Sequence, residues 1–249
     1  MSLYRQRIKC ASNPMRIEEA FPLIVCLNLD RRPDRRLRAW EQFTREGLSV
    51  ERLSAPDAAE MSCVTSRRYE KTGPRACAVG HRMAWREARR RGASAVLVFE
   101  DDVILAEGFY RKLDLWLTSV PQDSRLLYLG GVFRDPPTMI APGLLRVTGR
   151  TWDMHAYAVH ANAIPGLNRA VAPLSWPQTR GTVPSAVPQA LDTVIPVLHQ
   201  DLPTYAPWPP LAWQPLGLSN NEIARRGNYR ADGQQNLLRD AVAHLPAQE

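Results

Sequence analysis

Short runs of apolar residues, each followed by a polar turn, recur along the first half of the chain. They cover residues 23–27, 95–99 and 126–129, and residues 50–53 have the composition of a further strand. A continuous apolar run of this length, bounded by polar positions, is typical of a strand that is buried on both faces of a sheet. The pattern therefore predicts four strands in the first 130 residues.

Segments with helical spacing of apolar residues separate these strands. The first is predicted to run from an N-cap at Asp34 to Gly47, the second covers residues 75–91 and stops at Gly92, and the third carries Phe109. Strands that alternate with helices in this order favour parallel pairing through crossover helices. We therefore expect an α/β fold with a doubly wound, mostly parallel sheet.

The pattern loosens beyond residue 131, where proline becomes frequent. A strand is predicted at 155–159, a short helix from Ile164 and another within 187–199. The Pro/Trp-rich segment 205–215 is predicted not to be a central strand, because proline cannot donate to the ladder. We expect a proline-rich carboxyl-terminal acceptor subdomain that packs on the first half. The predicted organisation is a lead segment at 1–20, an α/β half at 21–132, a second half of the same domain at 133–225 and a tail at 226–249.

Composition narrows the class of protein. The chain has 249 residues, 45% of them hydrophobic, which is enough for a sizeable core. It has no apolar stretch of 18 residues and its start lacks the apolar segment of a secretory signal, so a cytoplasmic location is expected. The four cysteines form no C-x-x-C pair, which disfavours a zinc ribbon. A net charge of +7 favours anionic partners: a nucleotide, a phosphate-bearing glycolipid, nucleic acid or an acidic membrane surface.

Three consecutive carboxylates, Glu100, Asp101 and Asp102, follow the predicted strand at 95–99. The carboxyl end of a strand is where open α/β sheets bind ligands. Adjacent carboxylates repel one another unless a cation offsets them, and oxygen ligands suit magnesium or manganese rather than zinc. The alternative is a simple strand exit in which Asp102 caps the next turn.

Several segments together resemble glycosyltransferase family 25, which includes lipooligosaccharide and collagen galactosyltransferases. The segments in the first half are 27–35, Ala55-Pro56-Asp57, Cys77-Ala78-Val79-Gly80-His81 and Phe99-Glu100-Asp101-Asp102-Val103. Those in the second half are 156–159, 191–194, 205–207, Gln214 and Ser219. The resemblance covers about residues 22–223, and the combination is more specific than any single motif.

The resemblance implies a GT-A type fold, a nucleotide-sugar donor such as UDP-galactose, transfer with inversion and a saccharide or glycolipid acceptor at the cell surface. It also implies a divalent cation, Mn²⁺ or Mg²⁺, bound by a DxD-like motif in which Glu100 and Asp102 are the acidic ends. Two alternatives stay open: Asp101 binds the cation with Asp102, or Glu100, which is longer than the usual Asp, contacts the ribose or a second-shell water. Arginine forks match phosphate. The candidate donor-site residues are Leu27, Asn28, Asp30, Arg31, Arg35, Ala55, Asp57, His81 and Asp101. The residues alone favour the alternative for His81, a structural histidine packed near the acidic strand.

An inverting transfer needs a base for the acceptor hydroxyl. Asp192 is the first candidate, with Asp153 and Glu222 behind it; Asp192 also suits the first turn of a helix, where negative charge is favourable.

Two other functions stay open. A catalytically silent scaffold would bind the sugar nucleotide without turnover, and a nucleic-acid-binding protein, the less favoured alternative, would use the arginine-rich runs 31–38 and 86–91. Peripheral contact with an anionic membrane fits the basic charge.

Overall fold

The computed structural model describes residues 16–60, 72–175 and 191–214. The helices in these ranges are α1 (Ile17–Ala20), α2 (Pro33–Arg45), α3 (Thr72–Arg91), α4 (Phe109–Leu117), α5 (Ile164–Ser175) and α6 (Leu191–Val194), which continues as a 3-10 helix (Ile195–Leu198). The strands are β1 (Leu23–Leu29), β2 (Glu51–Ala55), β3 (Ala95–Glu100), β4 (Ile104–Leu105), β5 (Leu126–Tyr128), β6 (Val132–Phe133), β7 (Thr138–Ala141), β8 (Leu144–Arg146), β9 (Thr151–Trp152), β10 (Ala156–His160), β11 (Thr204–Pro207) and β12 (Ala212–Trp213). Among these helices, none is both long enough and apolar enough to cross a membrane.

Eight strands form one sheet in the order β2-β1-β3-β10-β5-β11-β8-β7. β1 is parallel to β2 and β3, and β5 is parallel to β11, whereas β10 and β8 are antiparallel to both of their neighbours. All strands except β10 and β8 therefore run in one direction, and the predicted α/β class with a mostly parallel sheet is confirmed. The carboxyl ends of β1, β2 and β3 meet at one edge, which we call the carboxyl edge.

Helices cover both faces of the sheet, which explains the unbroken apolar runs in the strands. Leu23, Val25 and Leu27 of β1 pack in one core cluster with residues of α3, α5 and α6. Ile24 and Cys26 point the other way, into a cluster with residues of α1, α2 and α4. Because side chains alternate along a strand, this parity also decides which helix each residue at the carboxyl edge faces.

The start of α2 corrects the prediction that Asp34 is the N-cap. The helix begins at Pro33, with Arg32 in the N-cap position and no side-chain cap. Proline suits the first helical position because its fixed φ is already helical and its missing N–H would have no partner there. Gly47 and Gly92, predicted as helix ends, do follow α2 and α3, with φ angles of 72° and 64°.

The Pro/Trp-rich segment also differs from its prediction. β11 lies inside the sheet, between β5 and β8, although residues 205–215 were expected to stay out of any central strand. Its prolines lie before the strand and at its last position, so Thr204, Tyr205 and Ala206 keep their N–H groups. The two predicted halves thus share one sheet, and the expected boundary at residues 132 and 133 falls within β6.

Candidate functional site

The acidic triplet lies at the carboxyl edge and is divided between the two faces of the sheet. Glu100 continues the parity of Val96 and Val98 and faces α3, where its Oε1 lies 3.0 Å from Nε2 of His81. Asp101 is buried on the other side, where Nδ2 of Asn28 donates to its Oδ2 at 2.7 Å. The strand end therefore presents carboxylates to both covering helices.

Arg35 of α2 joins two of these carboxylates. Its NH1 donates to Oδ1 of Asp101 at 3.1 Å and to Oδ2 of Asp102 at 2.9 Å, and its side chain is only 14% exposed. One guanidinium against three carboxylates leaves the cluster short of positive charge. Burial, reinforced by the charge of Glu100, raises the pKa of Asp102 to about 7.

Asp102 has a buried oxygen that fits a hard cation. Its Oδ1 has no hydrogen-bond partner within the described ranges. A buried carboxylate oxygen that lacks a donor is costly unless a cation or water meets it. Oxygen ligands with a deficit of positive charge are the donor set that Mn²⁺ and Mg²⁺ prefer. The carboxylate of Asp102 therefore fits the divalent cation that the resemblance implies.

His81 connects Glu100 to the core. Its Nδ1 lies 2.8 Å from the hydroxyl of Tyr157, which also accepts a hydrogen bond from Nε1 of Trp85 at 3.0 Å. Burial alone would raise the pKa of Glu100, but the hydrogen bond from His81 and nearby positive charge lower it below its usual value. Glu100 is therefore an ionised carboxylate at neutral pH.

Cys77 lies one helical turn before His81, with its Sγ 3.9 Å from Oε1 of Glu100. The ligand atoms of these three residues lie within 4.8 Å of one another, a spacing that a metal ion could bridge. Burial and the charge of Glu100 raise the pKa of the Cys77 thiol well above its usual value, so the thiol stays protonated. Cys77 therefore serves Glu100 as a weak donor.

The predicted donor-site residues of β1 and β2 converge on the carboxyl edge. Asn28 is buried and accepts a hydrogen bond from Nε of Arg52 at 2.9 Å, and Asp30 pairs with Arg52 and Ser54. Asp57 pairs with Arg31, whose hydrogen bond lowers the pKa of the carboxyl. These contacts fix the loops that follow β1 and β2.

Leu27 and Ala55 contribute shape rather than polar groups. A methyl group placed on Gly80 of α3 would lie 3.7 Å from Cδ1 of Leu27 and 3.9 Å from Cβ of Ala55, at ordinary contact distance. α3 therefore packs closely on the ends of β1 and β2, and this packing places His81 beside β3. The structure thus brings all nine predicted donor-site residues to one edge of the sheet.

The three candidate bases belong to different parts of the chain. Asp192 is in the first turn of α6, and its charge raises the pKa of Cys77 together with the charges of Glu100 and Asp102. Asp192 therefore lies within electrostatic range of the Cys77 thiol, on the α3 side of the sheet. Asp153 occupies a turn between β9 and β10 with a φ of 62°. Glu222 lies outside the described residues.

His199 and Trp213 occupy different kinds of position. His199 uses both ring nitrogens, with Nδ1 2.8 Å from the carbonyl of Gly149 and Nε2 3.0 Å from the hydroxyl of Tyr128. It is therefore not a free metal ligand. Trp213 is 44% exposed, and β12 pairs with β4 directly after the acidic triplet, so this ring lies near the carboxyl edge.

Sequence reasoning missed Tyr157, Trp85 and Arg52 as parts of the site. Tyr157 lies within the apolar run of β10, 76 residues from His81, and only folding brings them together. The signal available was a polar hydroxyl in a strand expected to be fully buried, since a buried tyrosine usually has a hydrogen-bond partner. Arg52 had a similar signal, a charged residue within a predicted strand next to the loop at Asp30.

A family of known proteins matches part of the chain. Residues 22–135 match the family model described as glycosyltransferase family 25 (LPS biosynthesis protein). No curated protein matches the chain. Structural matches include A197 from STIV, at 13% identity over 74% of this chain and 80% of that one, with a TM-score of 0.39. Mannose-1-phosphate geranyltransferase from Thermus thermophilus has 13% identity over 74% and 72%, with a TM-score of 0.40. A glycosyltransferase involved in glycosylation of the major capsid of PBCV-1 has 9% identity over 60% and 65%, with a TM-score of 0.33.

Proposed function

We propose that the chain is a metal-dependent, inverting glycosyltransferase that uses a UDP-sugar, with UDP-galactose as the first candidate, because residues 22–135 match the model of glycosyltransferase family 25. The acceptor is a saccharide or glycolipid of the cell surface, in line with the LPS biosynthesis named in the family description. The observation that carries the proposal is the acidic cluster at the carboxyl edge, where Asp102 has an unpartnered buried oxygen and a raised pKa.

In the proposed reaction, the acceptor hydroxyl oxygen attacks the anomeric carbon while the bond from that carbon to the diphosphate oxygen breaks. The hydroxyl proton passes to the carboxylate of Asp192, which acts as general base. A cation held by Glu100 and Asp102 would neutralise the charge that develops on the departing nucleoside diphosphate. The sugar leaves one partner and joins the other, so no oxidant or reductant is needed.

The arginines of the carboxyl edge have a defined part in donor binding. Arg31 is paired with Asp57 and Arg35 with Asp101 and Asp102. Guanidinium groups form strong paired hydrogen bonds to phosphate oxygens. We propose that the diphosphate draws Arg35 away from Asp102 when the donor binds, so that the carboxylate of Asp102 is free to take up the cation.

The function is tested by a thermal-shift screen of nucleotide sugars with and without Mn²⁺. A ligand at a hundred times its Kd stabilises the native state by about 2.7 kcal/mol, which for a chain of this size raises the Tm by about 5–10 °C. We expect this rise for a UDP-sugar with Mn²⁺ and none for the same sugar without metal. If the Tm does not respond to any nucleotide sugar with metal, the proposal fails.

Turnover separates the enzyme from a silent scaffold. The donor that gives the thermal shift is incubated with Mn²⁺ and a panel of saccharide and glycolipid acceptors, and released UDP is measured. We expect UDP release that depends on metal. Donor binding without any release, with or without acceptors, would identify the scaffold instead.

We also propose that the outer face of α2 contacts an anionic membrane, where a glycolipid acceptor would reside. Leu37 is 63% exposed and lines an open depression with Trp40, Pro33, Arg36 and Arg52. An exposed apolar residue flanked by arginines is typical of a helix that lies in the headgroup region, where anionic lipids complement the charge.

The membrane contact is tested by sedimentation with vesicles that contain anionic phospholipid, compared with zwitterionic vesicles. Leu37→Glu should weaken binding to the anionic vesicles about tenfold, because it removes apolar contact and adds a repelled charge. Val197→Glu is the matched control. Val197 is 72% exposed, but it lies in the 3-10 helix that follows α6, on the opposite face of the sheet from α2. Equal binding of both variants would exclude α2 as the contact.

A further inference from the structure

A chain of buried hydrogen bonds runs from the core to the acidic triplet through Trp85, Tyr157, His81 and Glu100. The distances are 3.0 Å from Nε1 of Trp85 to the hydroxyl of Tyr157, 2.8 Å from that hydroxyl to Nδ1 of His81, and 3.0 Å from Nε2 of His81 to Oε1 of Glu100. Trp85, Tyr157 and His81 are each 0% exposed. Water therefore does not take part in the inner bonds of this chain.

Only one arrangement of donors and acceptors satisfies this series of hydrogen bonds. An indole N–H only donates, so the oxygen of Tyr157 accepts from Trp85. The hydroxyl hydrogen of Tyr157 then needs an acceptor, and within the described ranges the hydroxyl has Nδ1 of His81 as its only other hydrogen-bond partner. Nδ1 of His81 must therefore be the acceptor, which leaves the ring hydrogen on Nε2.

The opposite order leaves two buried groups unsatisfied. If Nδ1 carried the hydrogen, the hydroxyl hydrogen of Tyr157 would have no acceptor within the described ranges, and the lone pair of Nε2 would face Oε1 of Glu100 at 3.0 Å. Unpaired buried polar groups and opposed lone pairs are both unfavourable. The hydrogen bond from Tyr157 therefore decides that His81 donates an Nε2–H hydrogen bond to Glu100.

We propose that Tyr157 is a positioning residue of the cation site: it fixes His81 as the Nε2–H tautomer, and His81 in turn holds Glu100 in place for the cation. This inference rests on the proposed function for its cation and deepens it, because it extends the site to a residue on β10 that does not touch the ligand. Outer partners that fix the ligands of a metal site typically change its affinity 10–100-fold.

The protein contains a matched control for this role. Tyr128 of β5 lies opposite Tyr157 of β10 in the sheet register, is equally buried and also pairs with a histidine, His199, at 3.0 Å. His199 is bonded at its other nitrogen to Gly149 and not to a carboxylate of the triplet. Tyr128→Phe thus removes an equivalent buried hydroxyl and leaves the hydrogen bonds from Trp85 through Tyr157 and His81 to Glu100 intact.

The experiment measures tautomer and metal affinity separately. The full-length protein is labelled with ¹⁵N-histidine, and long-range ¹H–¹⁵N correlations of the metal-free protein assign the ring hydrogen of His81, with His81→Gln identifying its signals. We expect the Nε2–H tautomer in the parent and in Tyr128→Phe, and a mixture of tautomers in Tyr157→Phe. Mn²⁺ affinity, measured by electron paramagnetic resonance, should fall about tenfold in Tyr157→Phe and stay within about twofold of the parent in Tyr128→Phe.

Trp85→Phe adds a second check, because it removes the donor to Tyr157 and leaves the bond from Tyr157 to His81. It should keep the Nε2–H tautomer. The proposal is overturned if the parent carries the hydrogen on Nδ1, if Tyr157→Phe keeps both tautomer and affinity, or if Tyr128→Phe loses affinity as strongly. A parent that binds no Mn²⁺ would instead refute the proposed function, and the metal-free tautomer would still test the hydrogen-bond order.

Discussion

Replacing Asp102 with alanine should abolish the metal-dependent rise in Tm caused by a UDP-sugar and lower transfer by about 10²–10³-fold, the usual loss when one electrostatic group of an active site is removed. Asp102 combines a buried unpartnered oxygen with a pKa raised by burial and by Glu100. It is therefore the carboxylate that gains most from a cation. The measurements are thermal shift with and without Mn²⁺, and release of UDP.

The metal-free protein provides a control for misfolding. Burial and the charge of Glu100 disfavour the ionised form of Asp102, and Arg35 keeps its bond to Asp101 when Asp102 is removed. The Tm of metal-free Asp102→Ala at pH 8 should therefore equal or exceed that of the parent. Asp34→Ala serves as a matched variant, since Asp34 is an exposed carboxylate on α2 that pairs with Arg32 and Arg38. Asp102 is excluded as a ligand if its variant keeps the full metal-dependent shift.

The pH dependence of cation binding provides a second measure of the same residue. Asp102 must lose its proton to bind a cation, and its pKa in the folded protein is about 7. Affinity for Mn²⁺ should therefore rise by up to about tenfold per pH unit below 7 and level off above it. Without metal, the folded state holds a proton that the unfolded chain releases above its ordinary pKa of 3.8, so this group's contribution to the free energy of unfolding falls between pH 4 and 7.

The part of the fold that depends on local pattern could be predicted from the sequence. The apolar runs at β1 and β3 reflect strands covered on both faces, and the glycines after α2 and α3 adopt the positive φ that ends a helix. The acidic triplet could also be placed, because a strand that ends in carboxylates must present them at the edge of the sheet.

The parts set by distant contacts could not be predicted. β10 enters between β3 and β5 in the antiparallel direction, and no local pattern specifies which neighbours a buried strand takes. β11 is an interior strand because its prolines fall at positions that need no N–H, which depends on register and not on composition. The hydrogen bond from Tyr157 to His81 depends on that same placement of β10.

Replacing Asp192 with asparagine should lower kcat by about 10²–10⁴-fold, the usual contribution of a general base, while the metal-dependent thermal shift with the donor is kept. Asparagine has nearly the same shape as aspartate but takes no proton. Asp192 lies in the first turn of α6, within electrostatic range of Cys77 and on the Glu100 side of the sheet. Transfer and thermal shift are measured on the same preparation.

Asp153→Asn is the comparison that makes this assignment decisive. Asp153 belongs to the turn between β9 and β10, two residues before His155, whose carbonyl accepts the backbone N–H of Glu100 at 2.8 Å. If Asp192 is the base, Asp153→Asn should transfer at close to the parental rate. A loss of kcat in Asp153→Asn with full activity in Asp192→Asn would identify Asp153 as the base. Loss of donor binding in Asp192→Asn would make that residue part of the donor site instead.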